Sequence, residues 1–538
     1  AAGWMIDRPA TAPADPMWGF ALTPELAQTF STWRPPTAAP VNRRDSFALA
    51  PVGLLALAAL FVLWRGRAAA TIIAWREWLG RWRRAPVVVQ LVGWVALAGI
   101  YFVAVWPPLV VLCWLVAAFL MAAQPLVGLG IAAALIPFYF QHKEVSLVDA
   151  TLTVPPAMIL LFCLIPPIIG RIDWRRPMYL VRRCSALDWL ALSWLAISLL
   201  SMANVWHWPA YWRGLMTGVL APLVGYAAVR TLVATPLAQH RIMAALFGGG
   251  LFVAGFGLVD WTQGGGTLAD GVLRLVGPYY SPNHTALYLV RTLFVGIGLA
   301  LAAQDRQRIL WVVGCGAVTV ALLLTASRGA WLLGMPAGCG LLVWAWLRQR
   351  RGSRPGEQLI PRRPRARWLH PYATVFVGIG GIAALLSASW NRLANSETVF
   401  SRLRIWQATL QLWAEEPWFG VGPAGFFWRY PAYVRPPIIE PNLIHSHNVW
   451  LEAAAIWGLL GLFWMILLGF LAIRMAGKVQ RNDLPSFWMA FGLLAALAAA
   501  LAHAQVDAFW SLPDLAAWNW LALGLAVGNG EWTVGSRE

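Results

Sequence analysis

Charged residues are scarce in this chain. Only 12% of its 538 residues are Asp, Glu, Lys or Arg, whereas soluble domains carry about 25%. Hydrophobic residues make up 59% of the chain, and the mean hydropathy is +0.61. Because so few charges cannot cover a water-exposed surface, the composition excludes an ordinary soluble globular protein and predicts one that lies in a lipid bilayer.

Cysteine and acidic residues are also few. The chain has five cysteines; four lie inside apolar runs and none in a predicted outer loop, so their spacing indicates neither a disulfide framework nor a zinc site. The predicted outer loops contain no Asp-x-Asp motif, which argues against a nucleotide sugar held through Mg²⁺ by carboxylates. We therefore expect neither a metal nor a cofactor.

Long apolar runs recur along the whole chain. Runs of about 17 to 25 residues are typical of transmembrane helices. The pattern predicts an all-α polytopic membrane protein with about 12 to 15 transmembrane helices and one large extracytoplasmic loop that contains an amphipathic helix. The predicted spans are 47–64, 86–106, 107–122, 125–140, 152–170, 186–202, 214–233, 241–260, 284–303, 309–325, 329–347, 372–389, 449–473, 486–506 and 512–528.

Basic residues are concentrated in alternate loops. The formal net charge is +18, and residues 65–85 contain six arginines, residues 171–185 five and residues 348–370 eight. By the positive-inside rule these loops lie in the cytoplasm, which places residues 390–447 on the outer side. Such clusters bind anionic lipid headgroups, so we expect the lipid bilayer as a partner and no nucleic acid.

These patterns divide the chain into four parts. A polar extracytoplasmic extension, 1–46, precedes the transmembrane helices and basic cytoplasmic loops of 47–389. The extracytoplasmic loop 390–447 is the candidate catalytic loop, and the C-terminal transmembrane helices occupy 448–538.

The candidate catalytic loop contains a predicted amphipathic helix over residues 400–413. Arg402 lies at the edge of its apolar stripe, and Arg404 points to the opposite side. If the stripe faces the membrane domain, Arg402 turns towards a site and Arg404 turns away. The stripe is formed by Leu403, Trp406, Leu410 and Trp413.

Five short motifs follow one another along the second half of the chain. Each is weak alone, but their order, their spacing and their positions near predicted outer span ends are fairly specific together. They resemble the O-antigen ligase / O-antigen polymerase superfamily, over residues 200 to 530 roughly. The motifs are Ser281-Pro282-Asn283-His284, Ser327-Arg328-Gly329, Arg402-Leu-x-x-Trp406, Pro417-Trp-Phe-Gly420-Val-Gly422 and His445-x-His447-Asn448.

The resemblance implies a reaction and a location. Such enzymes take a glycan from undecaprenyl diphosphate at the outer face of the bacterial inner (plasma) membrane and attach it to an acceptor hydroxyl. Ligases use a lipid A-core sugar, polymerases use another repeat unit, and related members use a protein. A ligase-like glycosyltransferase is the preferred interpretation and a polymerase is the alternative; the sequence does not indicate the oligomeric state.

The side chains in these motifs suit that chemistry. Arginines bind the oxygens of a leaving diphosphate, and a histidine can take the proton of the acceptor hydroxyl. With one base and no carboxylate nucleophile, we expect a single displacement with inversion. The predicted catalytic residues are His447 as the base, His445, Arg402 and Arg328. The predicted substrate-binding residues are Arg213, Arg291, Arg404, Asn283, His284 and Asn448.

Simpler explanations remain open for these residues. An arginine at a span end can anchor in headgroups, Asn283 and His284 can cap a helix, and His503 is more often part of a buried structural pair with Asp507. A transporter or lipid flippase would also have many spans, but it would show pseudo-repeated halves, which this chain lacks. A structural membrane subunit would leave the outer arginines without a role.

Overall fold

The computed structural model describes residues 69–141, 143–146, 151–172, 182, 184–269, 271–351, 397–433, 443–480 and 483–527. Within these ranges the protein is helical, apart from two short antiparallel ribbons. This confirms the predicted all-α polytopic membrane class. The extension 1–46 and the predicted spans 47–64 and 372–389 lie outside the described residues.

Short helices separated by prolines form the first part of the described chain. In order, the elements are α1 (Ala69–Arg84), α2 (Val87–Val103), α3 (Pro107–Ala123), α4 (Pro125–Ala134), β1 (Lys143–Ser146), β2 (Thr151–Val154), α5 (Pro156–Phe162) and α6 (Ile165–Ile169). Each of the helices α3, α4, α5 and α6 has a proline at its first or second residue. Proline suits a helix start because its missing N–H would have no helical partner there, and it interrupts the helix before it.

Most of the helices that follow are longer. Two π-helical segments occur among them: Leu215–Leu220 lies between α8 and α9, and Ala330–Gly334 lies directly before α13. In chain order the elements are α7 (Ala186–Leu200), α8 (Trp208–Gly214), α9 (Ala221–Leu232), α10 (Pro236–Thr262), β3 (Thr267–Ala269), β4 (Val272–Arg274), α11 (Pro282–Ala302), α12 (Asp305–Leu324), α13 (Met335–Arg351), α14 (Glu397–Glu415), α15 (Phe426–Arg429), α16 (Val449–Lys478), α17 (Leu484–His503) and α18 (Pro513–Val527).

The described chain has fewer membrane spans than the sequence predicted. Eight of its helices are long and apolar enough to cross a membrane, or nine if α1 and α2, which meet at 111°, form one span. The prediction of 12 to 15 concerns the whole chain, and two of its spans, 47–64 and 372–389, lie outside the described residues. The run at 107–122 forms α3 over its full length, with 17 residues. In the runs at 125–140 and 152–170 the helices α4, α5 and α6 are shorter, and a proline stands at the first or second residue of each. The run at 512–528 forms α18, which has 15 residues and is buried throughout.

Helix α11 is the centre of the bundle. It packs against α10, α12 and α17, and most of its residues are buried. Gly298 of α11 faces Gly492 of α17, and a Cβ built on either would lie 2.7 Å from the Cα of the other. Small residues allow helices in a membrane to approach this closely. The approach holds α17, which ends at His503, close against α11.

Helix α16 is broken inside the membrane domain. Gly458 has φ 68° and ψ −158°, a conformation open to glycine but not to residues with a β-carbon. A Cβ at this position would also lie 2.2 Å from the carbonyl oxygen of Trp418. Glycine at this position therefore allows the backbone around Trp418 to pack directly against the break in α16.

Segment 417–422 forms hydrogen bonds with the backbone N–H and carbonyl groups that have no helical partner at the break. The N–H of Val421 donates to the carbonyl of Ala455 at 2.9 Å, and the next N–H along bonds the next carbonyl at the same distance. The N–H of Leu459 donates to the carbonyl of Pro417 at 2.7 Å. Broken helices occur in membranes only where protein or a cavity covers the backbone. This motif is thus part of the support for α16.

Candidate active site

Two histidines and an aspartate meet just before α16. The Oδ1 of Asp507, in the loop between α17 and α18, lies 3.5 Å from Nδ1 of His447 and 4.0 Å from Nε2 of His445. The two imidazole rings have centroids 4.3 Å apart. His445 and Asp507 are buried, whereas 15% of the His447 side chain is exposed. Of the three groups, His447 is the one that a substrate can reach most directly.

Backbone and cap hydrogen bonds bring these residues together. The side-chain oxygen of Asn448 accepts two N–H groups of the first turn of α16, at 3.0 and 3.1 Å, which is the usual role of an N-cap. Its amide donates to the carbonyl of Gln505 at 3.0 Å. The N–H of Val449 donates to the carbonyl of Ala504 at 2.9 Å. The start of α16 is thereby fixed to the loop that carries Asp507.

His447 has a backbone conformation that is uncommon for its residue type. Its φ is 53°, in the left-handed region, which costs a residue with a β-carbon about 1–2 kcal/mol. The N–H of His447 donates to Nδ1 of His445 at 3.2 Å, so the turn also orients the second imidazole. Strain of this kind is concentrated at functional sites.

Burial and neighbouring charge set the protonation of the cluster. Burial lowers the pKa of His445 to about 3, and the nearby charges of His447 and Arg402 act in the same direction. Burial alone would raise the pKa of Asp507, but its contact with His447 outweighs burial and lowers the pKa below its ordinary range. Near neutral pH the site therefore contains a carboxylate and a neutral His445.

The same cluster is where a metal could be held. One ligand atom each of His445, His447 and Asp507 lies within 4.8 Å of the others, a grouping found once among the described residues. Two imidazoles and a carboxylate are ligands that zinc accepts. The positive charge of Arg402 close by opposes a cation, and the same three groups can work as a hydrogen-bonded acid–base set.

Helix α14 contains the predicted amphipathic helix, but the predicted apolar stripe is wrong. Leu403 and Leu410 are 48% and 45% exposed. Arg402 is half-buried on the side of the true buried face, and Arg404 is exposed. Arg402 therefore lies beside the buried face and Arg404 lies away from it, but this face is a different stripe from the predicted one. Its smaller side chains permit close packing. The buried face consists of Ile405, Ala408, Thr409 and Leu412.

The Ser327-Arg328-Gly329 motif forms the turn that leads into α13. The hydroxyl of Ser327 lies 3.3 Å from Nε2 of His503 at the end of α17. A Cβ on Gly329 would lie 2.4 Å from the His503 ring, so glycine lets the ring pack against this turn. The structure pairs His503 with Ser327, whereas the ion-pair partners of Asp507 are the two loop histidines; the expected His503–Asp507 pair is not a direct contact.

Arg213 and Arg328 have the same local setting. Each is followed by a glycine and then directly by a π-helical segment, Leu215–Leu220 after the first and Ala330–Gly334 after the second. π-Helical turns are rare and are frequent at functional sites. Two of the arginines predicted from sequence are therefore placed by the same unusual backbone feature.

Arg213 lines a groove between α8, residues 423–428 and the loop before α18. The empty volume of this open groove is about 840 Å³. Arg213 is the only charged residue among the described residues that line it. Ile444, which precedes His445 in the chain, forms part of the wall. The groove is also lined by Thr217, Gly218, Phe427 and Trp428.

Arg291 lies in the core. No part of its side chain is exposed. Its Nε donates to the side-chain oxygen of Asn519 at 3.1 Å, and Nη1 donates to the carbonyl of Leu287 at 2.6 Å. The guanidinium also lies 5.5 Å from the ring centroid of Phe509. These contacts compensate the cost of a charge at this depth.

His284 and Asn283, at the start of α11, also have partners in the core. The Nε2 of His284 lies 2.8 Å from Oδ2 of Asp514, and both side chains are buried. The side-chain oxygen of Asn283 accepts from Nη2 of Arg274 at 2.7 Å, while Nε of Arg274 donates to the carbonyl of Thr325 at 2.8 Å. Together these bonds tie α11 to α18 and to the turn before Ser327.

The partners of the predicted residues were missed in the sequence. Asp507 was assigned to His503, because the two lie close in the chain. Asp514 and Asn519 went unnoticed inside an apolar run, although a polar residue there is expensive unless it is paired. Counting polar residues in apolar runs would have pointed to both. Arg274 had no comparable signal.

Similarity to known proteins agrees with the motifs. Residues 312–466 match the family model described as O-antigen ligase. The match includes Arg328, Arg402, His445 and His447, whereas Asp507 lies beyond its end. No curated protein matches the chain. The match covers less than half of the chain, and it supports the resemblance of this chain to the O-antigen ligase / O-antigen polymerase superfamily.

Proposed function

We propose that the protein transfers a glycan from undecaprenyl diphosphate to an acceptor hydroxyl at the outer face of the bacterial inner membrane. The observation that carries this proposal is the meeting of His447, His445 and Asp507 near Arg402. The acceptor is a lipid A-core sugar or another lipid or glycan. The family match supports ligase or polymerase activity, and the donor, acceptor and membrane side are our extensions of it.

His447 is the proposed general base. Its Nδ1 faces the carboxylate of Asp507, so Nδ1 carries a proton and Nε2 accepts the proton of the acceptor hydroxyl. The hydroxyl oxygen bonds to the anomeric carbon while the bond from that carbon to the diphosphate oxygen breaks. Undecaprenyl diphosphate leaves with the electron pair, and Asp507 stabilises the imidazolium that forms. One displacement inverts the anomeric centre.

Arg402, Arg328 and Arg213 are the proposed ligands of the leaving diphosphate. Fixed guanidiniums offer paired N–H donors and stay charged as negative charge grows on the phosphate oxygens. Asn448 supports His447 by capping α16. Arg404, the most exposed of the group by its position on α14, belongs at the rim of the site.

The core residues have a different proposed role. Arg291, His284 and Asn283 were predicted to bind substrate, and that prediction stays open to test. Their contacts with α18, with β4 and with the turn before Ser327 favour a supporting role, in which they hold α11 and α18 in place behind the histidine cluster.

One observation bears on the transporter alternative. Interrupted helices line the pathways of many transporters, and α16 is interrupted at Gly458. Here the chain's own segment 417–422 fills the interruption with backbone hydrogen bonds. This favours a fixed support for a surface site over a passage.

Transfer by the purified protein in liposomes tests the proposal. Donor is undecaprenyl diphosphate with an attached glycan, with or without a candidate acceptor, and products are separated on gels and weighed by mass spectrometry. Glycan moved as a block to a second lipid or a protein indicates a ligase, and a ladder on the same carrier indicates a polymerase. No release of undecaprenyl diphosphate under any condition would reject the proposal and put the transporter first.

A further inference from the structure

The outer end of the groove is formed by a rigid aromatic side chain. Trp428 stacks on the ring of His207, with centroids 4.0 Å apart and planes 10° from parallel. Phe427 meets Trp428 edge to face at 5.5 Å. His207 is itself fixed, because its Nδ1 accepts the N–H of Ala210 at 3.1 Å. The indole of Trp428 is thus a plate supported from one side, and its side chain lines the groove.

The chemistry of the groove changes along its length. The plate lies at the outer end, Arg213 follows at the last turn of α8, and Thr217 and Gly218 lie one turn further into the span. A Cβ on Gly218 would meet no other heavy atom within 4 Å. An aromatic surface, a positive charge and an open apolar stretch therefore succeed one another from outside to inside.

This order matches a single molecule with three parts. A sugar ring offers an apolar C–H face to an indole, a diphosphate offers negative charge to a guanidinium, and a polyprenyl chain fills apolar space within a membrane.

We infer that Trp428 is the platform for the reducing-end sugar of the lipid-linked donor, the sugar whose anomeric carbon is bonded to the diphosphate. This inference rests on the proposed function. It makes Trp428, with His207 behind it, a specificity-determining residue that touches the donor but takes no part in proton transfer.

Binding of two lipid probes to the purified protein tests the platform. The probes are undecaprenyl diphosphate carrying one N-acetylglucosamine and bare undecaprenyl diphosphate. Trp428→Ala should weaken binding of the first about 3- to 10-fold and leave binding of the second unchanged, whereas Trp428→Phe should retain most of the affinity. Arg213→Ala should weaken both. Trp208→Ala is the matched control, since Trp208 is the first residue of α8, the helix that carries Arg213, and does not line the groove.

Three outcomes would overturn the platform. These are equal losses for both probes, equal affinity of the unaltered protein for both probes, and an increase in KM for the acceptor alone in the transfer assay, which would make the groove an acceptor site. If Trp428→Ala does not fold, Trp428→Leu keeps an apolar side chain without the aromatic face and gives the same comparison. Sugar-dependent binding without any transfer would reject the proposed function and leave the platform standing.

Discussion

Two histidine–aspartate pairs in this protein have different geometries. His284 and Asp514 lie 2.8 Å apart with side chains 2% and 0% exposed, and the ring of His284 stacks on Tyr279 at 4.1 Å. His447 and Asp507 lie 3.5 Å apart, and 15% of the His447 side chain is exposed. The first pair is closed by its surroundings, and the second leaves part of an imidazole accessible.

The difference separates a group that holds helices from one that can react. A short, fully buried pair has no room for a substrate, and its loss leaves a charge unpaired. A longer, partly open pair on a strained backbone can tighten when a substrate arrives, as catalytic hydrogen bonds often do. Sequence alone treated both histidines as candidates, and the surroundings distinguish them.

Replacing His447 should give the largest effect on transfer. His447→Ala removes the base, and we expect transfer to fall about 10²- to 10⁴-fold while the thermal unfolding midpoint stays the same. Arg402→Ala should act in the same direction. The measurement is the initial rate of transfer in liposomes. Full activity in both variants would show that the site is assigned wrongly.

Replacing Asp507 should slow transfer less. Asp507→Asn removes the negative charge beside the imidazolium, and a hydrogen bond to a charged group is worth about 1.5–3 kcal/mol, or roughly 10- to 100-fold in kcat. KM for the donor should not change, because Asp507 does not contact it. Asp507→Glu serves as the control and should recover part of kcat. A rise in KM with kcat unchanged would place Asp507 in binding.

Replacing His284 should affect stability more than catalysis. His284→Gln leaves Asp514 buried without its partner, and breaking such a pair costs about 3–5 kcal/mol. The unfolding midpoint should fall markedly, while kcat per folded molecule changes little. Unfolding of the detergent-solubilised protein and transfer are measured on the same preparation. Lost transfer at unchanged stability would return His284 to the substrate-binding residues.

The buried His445 should appear in the pH dependence of stability. Its pKa is about 3 in the fold and 6.5 ordinarily, so below pH 6.5 the unfolded chain takes up a proton that the folded protein does not. Stability therefore falls as the pH drops from about 6.5 towards 3. His445→Gln should reduce this fall between pH 7 and pH 4.5. Unfolding midpoints that decline in parallel would show that His445 titrates normally.

Chelation should have the smallest effect, which is none. The cluster of His445, His447 and Asp507 could hold a cation, but we expect it to act as an acid–base set beside Arg402. Transfer in EDTA should equal transfer without it. Activity that is lost in EDTA and restored by zinc or Mg²⁺ would show that the cluster is a metal site.

The location of the site was predictable, but its composition only in part. The His-x-His-Asn motif before an apolar run indicated where α16 begins, and the structure places Asn448 as its cap. Asp507 lies 60 residues after His447, and a backbone contact between Val449 and Ala504 brings it into place. No spacing rule in the sequence reports a contact of that kind.

The short helices of the first part and the buried face of α14 differ from the sequence expectation for physical reasons. Apolar composition alone does not reveal that prolines at 107, 125, 155 and 166 divide a run into short helices. On α14 the largest apolar residues stood out on the helical wheel, whereas Ala408 and Thr409 allow the close packing. The size of an apolar side chain therefore does not predict which face of α14 is buried, because burial depends on how closely the side chains pack against the neighbouring helix.

The break at Gly458 has a consequence for how the chain is made. The first half of α16 carries carbonyl groups that its own helix does not use, and the residues that bond them, 417–422, precede α16 in the chain. Synthesis runs from the N-terminus, so these partners leave the ribosome before the helix that needs them. The order of translation thus protects a broken span from entering lipid with bare carbonyl groups.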